Sequence, residues 1–213
     1  SQNSALSNNV VTGLCEDKDG FLWIGTWGGG INIFDRKEEK FVEYYSQNNS
    51  NLKTNRIHKI VEDNKGRMLV IIRGGGLTRY NHRKKKFEDV TDKLPDKFAL
   101  LSLCVDNKNN IIMGTTEGLW LYDKDKNSIR KYENDPDDDT SISNNTINNI
   151  HESNDSTLWI GTSYGLNKFN KNTKKFTRYL TEDGLPNNCI NTILEDDSNN
   201  LWLSTNQGFS KFN

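Results

Sequence analysis

One five-residue phrase, Leu22-Trp23-Ile24-Gly25-Thr26, returns as Leu158-Trp159-Ile160-Gly161-Thr162 and, altered, as Leu201-Trp202-Leu203-Ser204-Thr205. Two degenerate copies, Met68-Leu69-Val70-Ile71-Ile72 and Ile111-Ile112-Met113-Gly114-Thr115, fall between them. The second residue of each copy stands at 23, 69, 112, 159 and 202, so the period is 46, 43, 47 and 43 residues. A period in the forties around a strand-like apolar centre marks a repeat architecture built of sheets and excludes stacked helical pairs.

Each repeat lays out as four short strands, a to d. In the first, strand a runs over 10–16, b over 21–26, c over 31–34 and d over 41–45. Runs of four to six β-branched and aromatic residues bounded by Gly, Asn and Asp are strand and hairpin signals. The a–b turn Asp17-Lys18-Asp19-Gly20 recurs as Asp63-Asn64-Lys65-Gly66 and Asp196-Asp197-Ser198-Asn199, residue types that tolerate left-handed angles. Strand b fixes how the sheets pack. Leu22, Trp23 and Ile24 are consecutive, so apolar side chains leave both faces, and both must be covered. Four-stranded sheets packed face to face give an all-β fold, a β-propeller of four-stranded antiparallel blades.

The repeats fall at about 8–54, 55–97, 98–143, 144–186 and 187–213 of one propeller segment, the last lacking its outer strand. About five blades are present. An uncovered blade face and an open sheet edge would be left, so the chain is expected to be part of a larger propeller or to close with another chain.

Lys and Arg number 28 against 29 Asp and Glu, a net charge of −1, which offers no global field for nucleic acid. No apolar run reaches the roughly 18 residues of a membrane span, so any membrane contact would come through segments outside this sequence. Ser1-Gln2-Asn3-Ser4 reads as a processed or cut end. Cys15, Cys104 and Cys189 are expected to be small buried residues. The first two occupy one position in repeats two units apart, too distant for a disulfide.

Several motifs read as plain structure. Asp17-Lys18-Asp19-Gly20 lacks the downstream glutamate of a calcium loop. Arg83-Lys84-Lys85-Lys86 and Asp135-Pro136-Asp137-Asp138-Asp139 are expected to be solvated turns. His58, His82 and His151 form no ligand spacing, and no cofactor or metal is implied. The informative positions lie between strand b and the glycines that follow it. There the repeats place Trp27, Arg73, Thr116, Tyr164 and Asn206-Gln207, diverse residues in one repeated frame. In a propeller these turns share a face and would border the mouth of the central channel. Trp27 and Tyr164 could stack on sugar rings, Arg73 could pair bidentately with a uronate or sulfate, and Gln207 completes the candidate ligand-binding set.

The pattern resembles the two-component regulator propeller repeat. The matching residues are Asn191-Thr192-Ile193-Leu194-Glu195-Asp196 before Leu201-Trp202, and Leu158 to Thr162 before Gly165-Leu166-Asn167-Lys168-Phe169. Repeat two departs from it, with no Trp and with Ile71-Ile72 for Gly-Thr; repeat three has Ile112 for the Trp. The resemblance implies seven-bladed propellers, two in tandem, in the periplasmic sensor region of hybrid two-component sensors that detect glycan fragments. It implies an oligosaccharide or other small-molecule ligand, the remaining blades of the same sensor and a homodimer as partners, and a non-catalytic role for this region. Two other readings stand beside it: a lyase-type propeller enzyme with His58 or His151 as base, and a protein-binding scaffold.

Overall fold

The computed structural model describes residues 5–90, 99–123 and 125–212. The end at Ser1 to Ser4, the repeat boundary at 97/98 and Asn213 lie outside the described residues. The chain divides into two compact units, Ser1–Leu100 and Leu101–Asn213. In the first, β1 (Val11–Glu16), β2 (Phe21–Thr26), β3 (Gly30–Asp35) and β4 (Lys40–Tyr45) form blade 1. Blade 2 follows with β5 (Ile57–Glu62), β6 (Met68–Ile72), β7 (Gly76–Asn81) and β8 (Lys86–Asp89).

The second unit holds three blades. Blade 3 is β9 (Leu100–Val105), β10 (Ile111–Thr115), β11 (Gly118–Asp123) and β12 (Ser128–Tyr132). Blade 4 is β13 (Ile147–Glu152), β14 (Leu158–Thr162), β15 (Gly165–Asn170) and β16 (Lys175–Tyr179). Blade 5 has three strands among the described residues, β17 (Ile190–Glu195), β18 (Leu201–Thr205) and β19 (Gly208–Phe212). Strands pair in sequence order throughout, so the fold is all-β and of the propeller type.

The a–b turns show why Asp recurs there. One carboxylate oxygen of Asp17 accepts the N–H groups of Asp19 and Phe21, and Asp63, Asp106 and Asp196 repeat the arrangement. In blades 1 and 5 the other oxygen accepts the motif indole N–H, Trp23 to Asp17 at 2.8 Å and Trp202 to Asp196 at 2.9 Å. Blade 4 has Ser153 in this place, and Trp159 instead lies under the Lys168 ammonium, 5.4 Å from the ring centroid.

Strand a carries a bulge at the same place in four blades, at Thr12, His58, Asn148 and Asn191. A bulge re-aims the extra residue. Thr12 uses this to donate to the Ile57 carbonyl of the next blade at 2.6 Å, and Asn148 to that of Ile190 at 3.1 Å. His58, a candidate base in the enzyme reading, is therefore a bulge residue of this frame.

The motif glycine is set by the neighbouring blade. A Cβ on Gly25, Gly114 or Gly161 would stand 2.4, 2.6 or 2.7 Å from Cγ2 of Ile57, Ile147 or Ile190. Further out, Trp23 and Tyr45 of blade 1 pack on Tyr80 and Phe87 of blade 2, with Trp23–Tyr80 centroids 5.2 Å apart. Blades 3 and 4 repeat this with Ile112, Tyr132, Phe169 and Phe176. Both faces of strand b are thus covered in blades 2 and 4, as its consecutive apolar residues require, whereas Trp202 on strand b of blade 5 is 43% exposed. The cysteines depart from expectation. Cys15, Cys104 and Cys189 are half-buried; Cys15 and Cys104 lie on partly wet positions of strand a, and Cys189 immediately precedes β17.

Candidate functional site

The last motif residue builds the turn that follows it. Thr162 donates from its hydroxyl to the Gly165 carbonyl at 2.9 Å and accepts the Tyr164 N–H at 3.0 Å. Thr115 does the same with Gly118 and Glu117, and Thr205 with Gly208 and Gln207. In blade 1, Thr26 donates to the Gly30 carbonyl and accepts the Gly29 N–H. The loop entering the next blade closes over the turn: Asn55, Asn145 and Asn188 accept from the N–H groups of Gly30, Gly118 and Gly165 through their carbonyls. Their side-chain oxygens accept the Gln47, Asn134 and Thr181 N–H groups just past strand d. A rigid frame therefore presents variable side chains.

Turn length separates the two units. Thr26 pairs with Gly30 and Ile72 with Gly76 across three intervening residues. Thr115, Thr162 and Thr205 pair with Gly118, Gly165 and Gly208 across two. The candidate residues are consequently not all at one place. Trp27 and Arg73 hold the first turn position, whereas Tyr164 and Gln207 hold the second, and their first-position counterparts are Ser163 and Asn206. The additional glycine in Trp27-Gly28-Gly29-Gly30 and Arg73-Gly74-Gly75-Gly76 was the available sign of this.

In the first unit the structure brings Trp27 and Arg73 together. The Arg73 guanidinium carbon lies 5.4 Å from the Trp27 ring centroid, and that of Arg56 lies 5.9 Å from it. The backbone fixes all three. Trp27 bridges to Arg56 across the blades, its own N–H donates to the Val10 carbonyl, and the Arg73 N–H donates to the Arg56 carbonyl at 2.9 Å. Trp27 is 38% exposed, and both arginines are exposed. Arg56 was missed in the sequence. It precedes strand a rather than following strand b, and only the shared edge of the two loops puts it here.

In the second unit Tyr164 is 51% exposed on its turn, with no ring or cation contact among the described residues. Gln207 is exposed beside Asn206, whose side-chain oxygen accepts from Asn191 at 3.0 Å. Thr116 and Glu117 are exposed on the third blade's turn. This face is polar and carries an acid, in contrast to the paired arginines of the first unit.

Other candidates resolve into structure. Within the basic run, Lys84 meets Glu88 at 3.0 Å and Lys85 meets Glu43 at 2.9 Å. Lys84, Asn81 and Arg79 together hold the Glu88 carboxyl down to about 2. In the acidic loop Asp138 accepts from Thr140, and Arg178 donates to the Asp138 carbonyl. His151 places Nε2 3.1 Å from a Glu195 carboxylate oxygen. A cleft of about 610 Å³ in the second unit is walled by Trp159, Tyr179, Phe212 and Lys168. It lies beside Phe212 where Phe87 and Phe176 fill the equivalent space next to Tyr80 and Phe169.

Three stretches, 5–28, 141–164 and 184–207, match the two component regulator propeller family. Each matched stretch runs into a b–c turn, ending at Gly28, Tyr164 or Gln207, and so takes in Trp27, Tyr164 and Gln207 themselves. Among solved structures, the extracellular domain of the putative hybrid two component system BT3049 from B. thetaiotaomicron is similar over 100% of this chain, at 26% identity and a TM-score of 0.80. That of BT4673 from the same organism is similar over 99%, at 23% identity and a TM-score of 0.79. The chain spans 29% and 28% of those two chains. Virginiamycin B lyase from Staphylococcus aureus shares the fold at 16% identity and a TM-score of 0.70, over 100% of this chain and 72% of the lyase. No curated protein matches the chain.

Proposed function

We propose that this chain is a piece of the extracellular, ligand-sensing region of a hybrid two-component sensor, working in the periplasm and without catalysis of its own. Similarity along its whole length to the BT3049 extracellular domain supports the setting. The observation that carries the ligand reading is the exposed Trp27 with Arg56 and Arg73 on turns whose backbone is tied down on both sides. Rigid loops bearing exposed aromatic and charged side chains suit recognition, because little entropy is lost on binding. The ligand class is an oligosaccharide. Tyr164 supplies an open aromatic face and Gln207 hydrogen-bonding capacity, each on its own turn of the second unit.

The sensing step would follow from differential affinity. A ligand that binds one arrangement of blades or of paired subunits better than another shifts their populations, and by no more than that difference. The other blades of the sensor and a second copy of it are the partners through which the shift would travel. Calorimetric titration with an oligosaccharide library tests the reading. Saturable binding that Trp27→Ala or Tyr164→Ala weakens supports it; binding insensitive to both removes the turn face as the site.

A further inference from the structure

We infer that the turn face of the first unit recognises an acidic group of its ligand, a carboxylate or a sulfate ester, through Arg56 and Arg73, with Trp27 as the surface that holds both guanidiniums. The inference rests on the oligosaccharide-sensing reading and narrows it.

Arg56 and Arg73, like Arg83 on its exposed turn, stand outside the ion pairs of their unit, and only these two share an aromatic ring. In the same unit Arg36 meets Glu16 at 2.6 Å, Arg67 meets Asp63 at 2.5 Å and Arg79 meets Glu88 at 3.2 Å. Neither Arg56 nor Arg73 has a carboxylate within 4.0 Å among the described residues. Two like charges nevertheless converge on one indole. Each gains from the ring quadrupole, and the pair repels itself, a penalty that a bound anion would reverse. A guanidinium lying over a ring keeps its in-plane N–H donors directed outward, the geometry that grips a carboxylate or sulfate with two parallel bonds.

The space for such a group exists. Gly74 has nothing within 4 Å of where a side chain would project, and at Gly28 the nearest atom is an asparagine nitrogen at 3.9 Å. Both glycines have positive φ, 72° and 112°, so a side chain at either position would be strained and the two positions stay bare. This alters the role expected of Trp27. Its ring is engaged by two guanidiniums rather than held open for a sugar.

The test uses the 213-residue chain and three probes: tetragalacturonic acid, 6-O-sulfated galactotetraose and unmodified galactotetraose, each titrated by calorimetry at low and at about 0.3 M salt. At least one acidic probe should bind, the neutral one at least about tenfold more weakly, and added salt should weaken the acidic complex. Whichever acidic probe binds distinguishes carboxylate from sulfate. Arg56→Gln and Arg73→Gln should each cost about tenfold or more in affinity, with Arg73→Lys recovering only part of the loss. Unchanged thermal unfolding would establish that these exposed substitutions leave the fold intact. Equal binding of the neutral probe, or acidic binding unmoved by the double Arg→Gln variant, overturns this inference while leaving oligosaccharide sensing in place. Binding of none of the three overturns the inference here, and the wider library then decides the sensing reading separately.

Discussion

Trp23 and Trp27 stand four residues apart in blade 1 and do opposite things. Trp23 is 3% exposed, donates to Asp17 and packs against Tyr45 and Tyr80. Trp27 is 38% exposed and holds two guanidiniums. The strand belongs to blade packing, and the turn just past it belongs to recognition. Blade 5 adds a third term. Trp202 makes the same indole bond to its turn aspartate as Trp23, yet is 43% exposed. Blades 1 and 5 share the hydrogen bond; burial is a property of the neighbour.

The largest expected effect is on the strand side. Trp23→Ala should destabilise the first unit by about 3–5 kcal/mol in urea unfolding, as large-to-small changes in packed cores do. The equivalent Trp202→Ala should cost much less, about 1 kcal/mol for its hydrogen bond. Equal losses would break the distinction between repeat and neighbour.

Next comes the motif glycine. Gly161→Val drives a branched side chain into Ile190 and should cost about 1–3 kcal/mol or more, whereas Ser204→Ala, at the same motif position in blade 5, should stay within about 0.5 kcal/mol. Thr162→Val keeps the shape but removes the hydroxyl that ties Gly165 and Tyr164. Unfolding should register a loss of about 1 kcal/mol, and amide exchange at Tyr164 should accelerate. Trp27→Ala should move stability by no more than about 0.5 kcal/mol, since the residue lies on the surface.

The smallest effect is one of pH. The Trp202 indole and the Asn200 donors hold the Asp196 carboxyl well below the usual carboxylate range. A depressed folded value means the clamp's contribution is fully present above the unfolded aspartate value of about 3.9 and is lost as the pH falls below it. The Trp202 indole proton resonance should therefore stay fixed from neutral pH down to about 4 and shift only below that. A shift centred between pH 5 and 7 would contradict the assignment.

Much of the fold was legible because its cause is local and repeated. Consecutive apolar residues in strand b demand two covered faces, and turn aspartates announce each hairpin. The candidate site was legible in position but not in composition. Arg56 is distant in sequence from the motif and joins Trp27 only where adjacent blades meet. The difference between three- and two-residue turns lay in a single extra glycine, so Tyr164 and Arg73 looked equivalent when they are not. The bulge at His58 could not be read either, since a bulge depends on the partner strand as much as on its own residues.

The sequence contains five tryptophans, and their indole N–H resonances give the most direct test of the division between strand and turn. With the acidic tetrasaccharide that binds, added to saturation, the Trp27 indole signal should move while those of Trp23 and Trp159 stay in place. Movement of Trp159 with Trp27 unchanged would put the ligand in the cleft beside Phe212 and contradict a binding face on the turns.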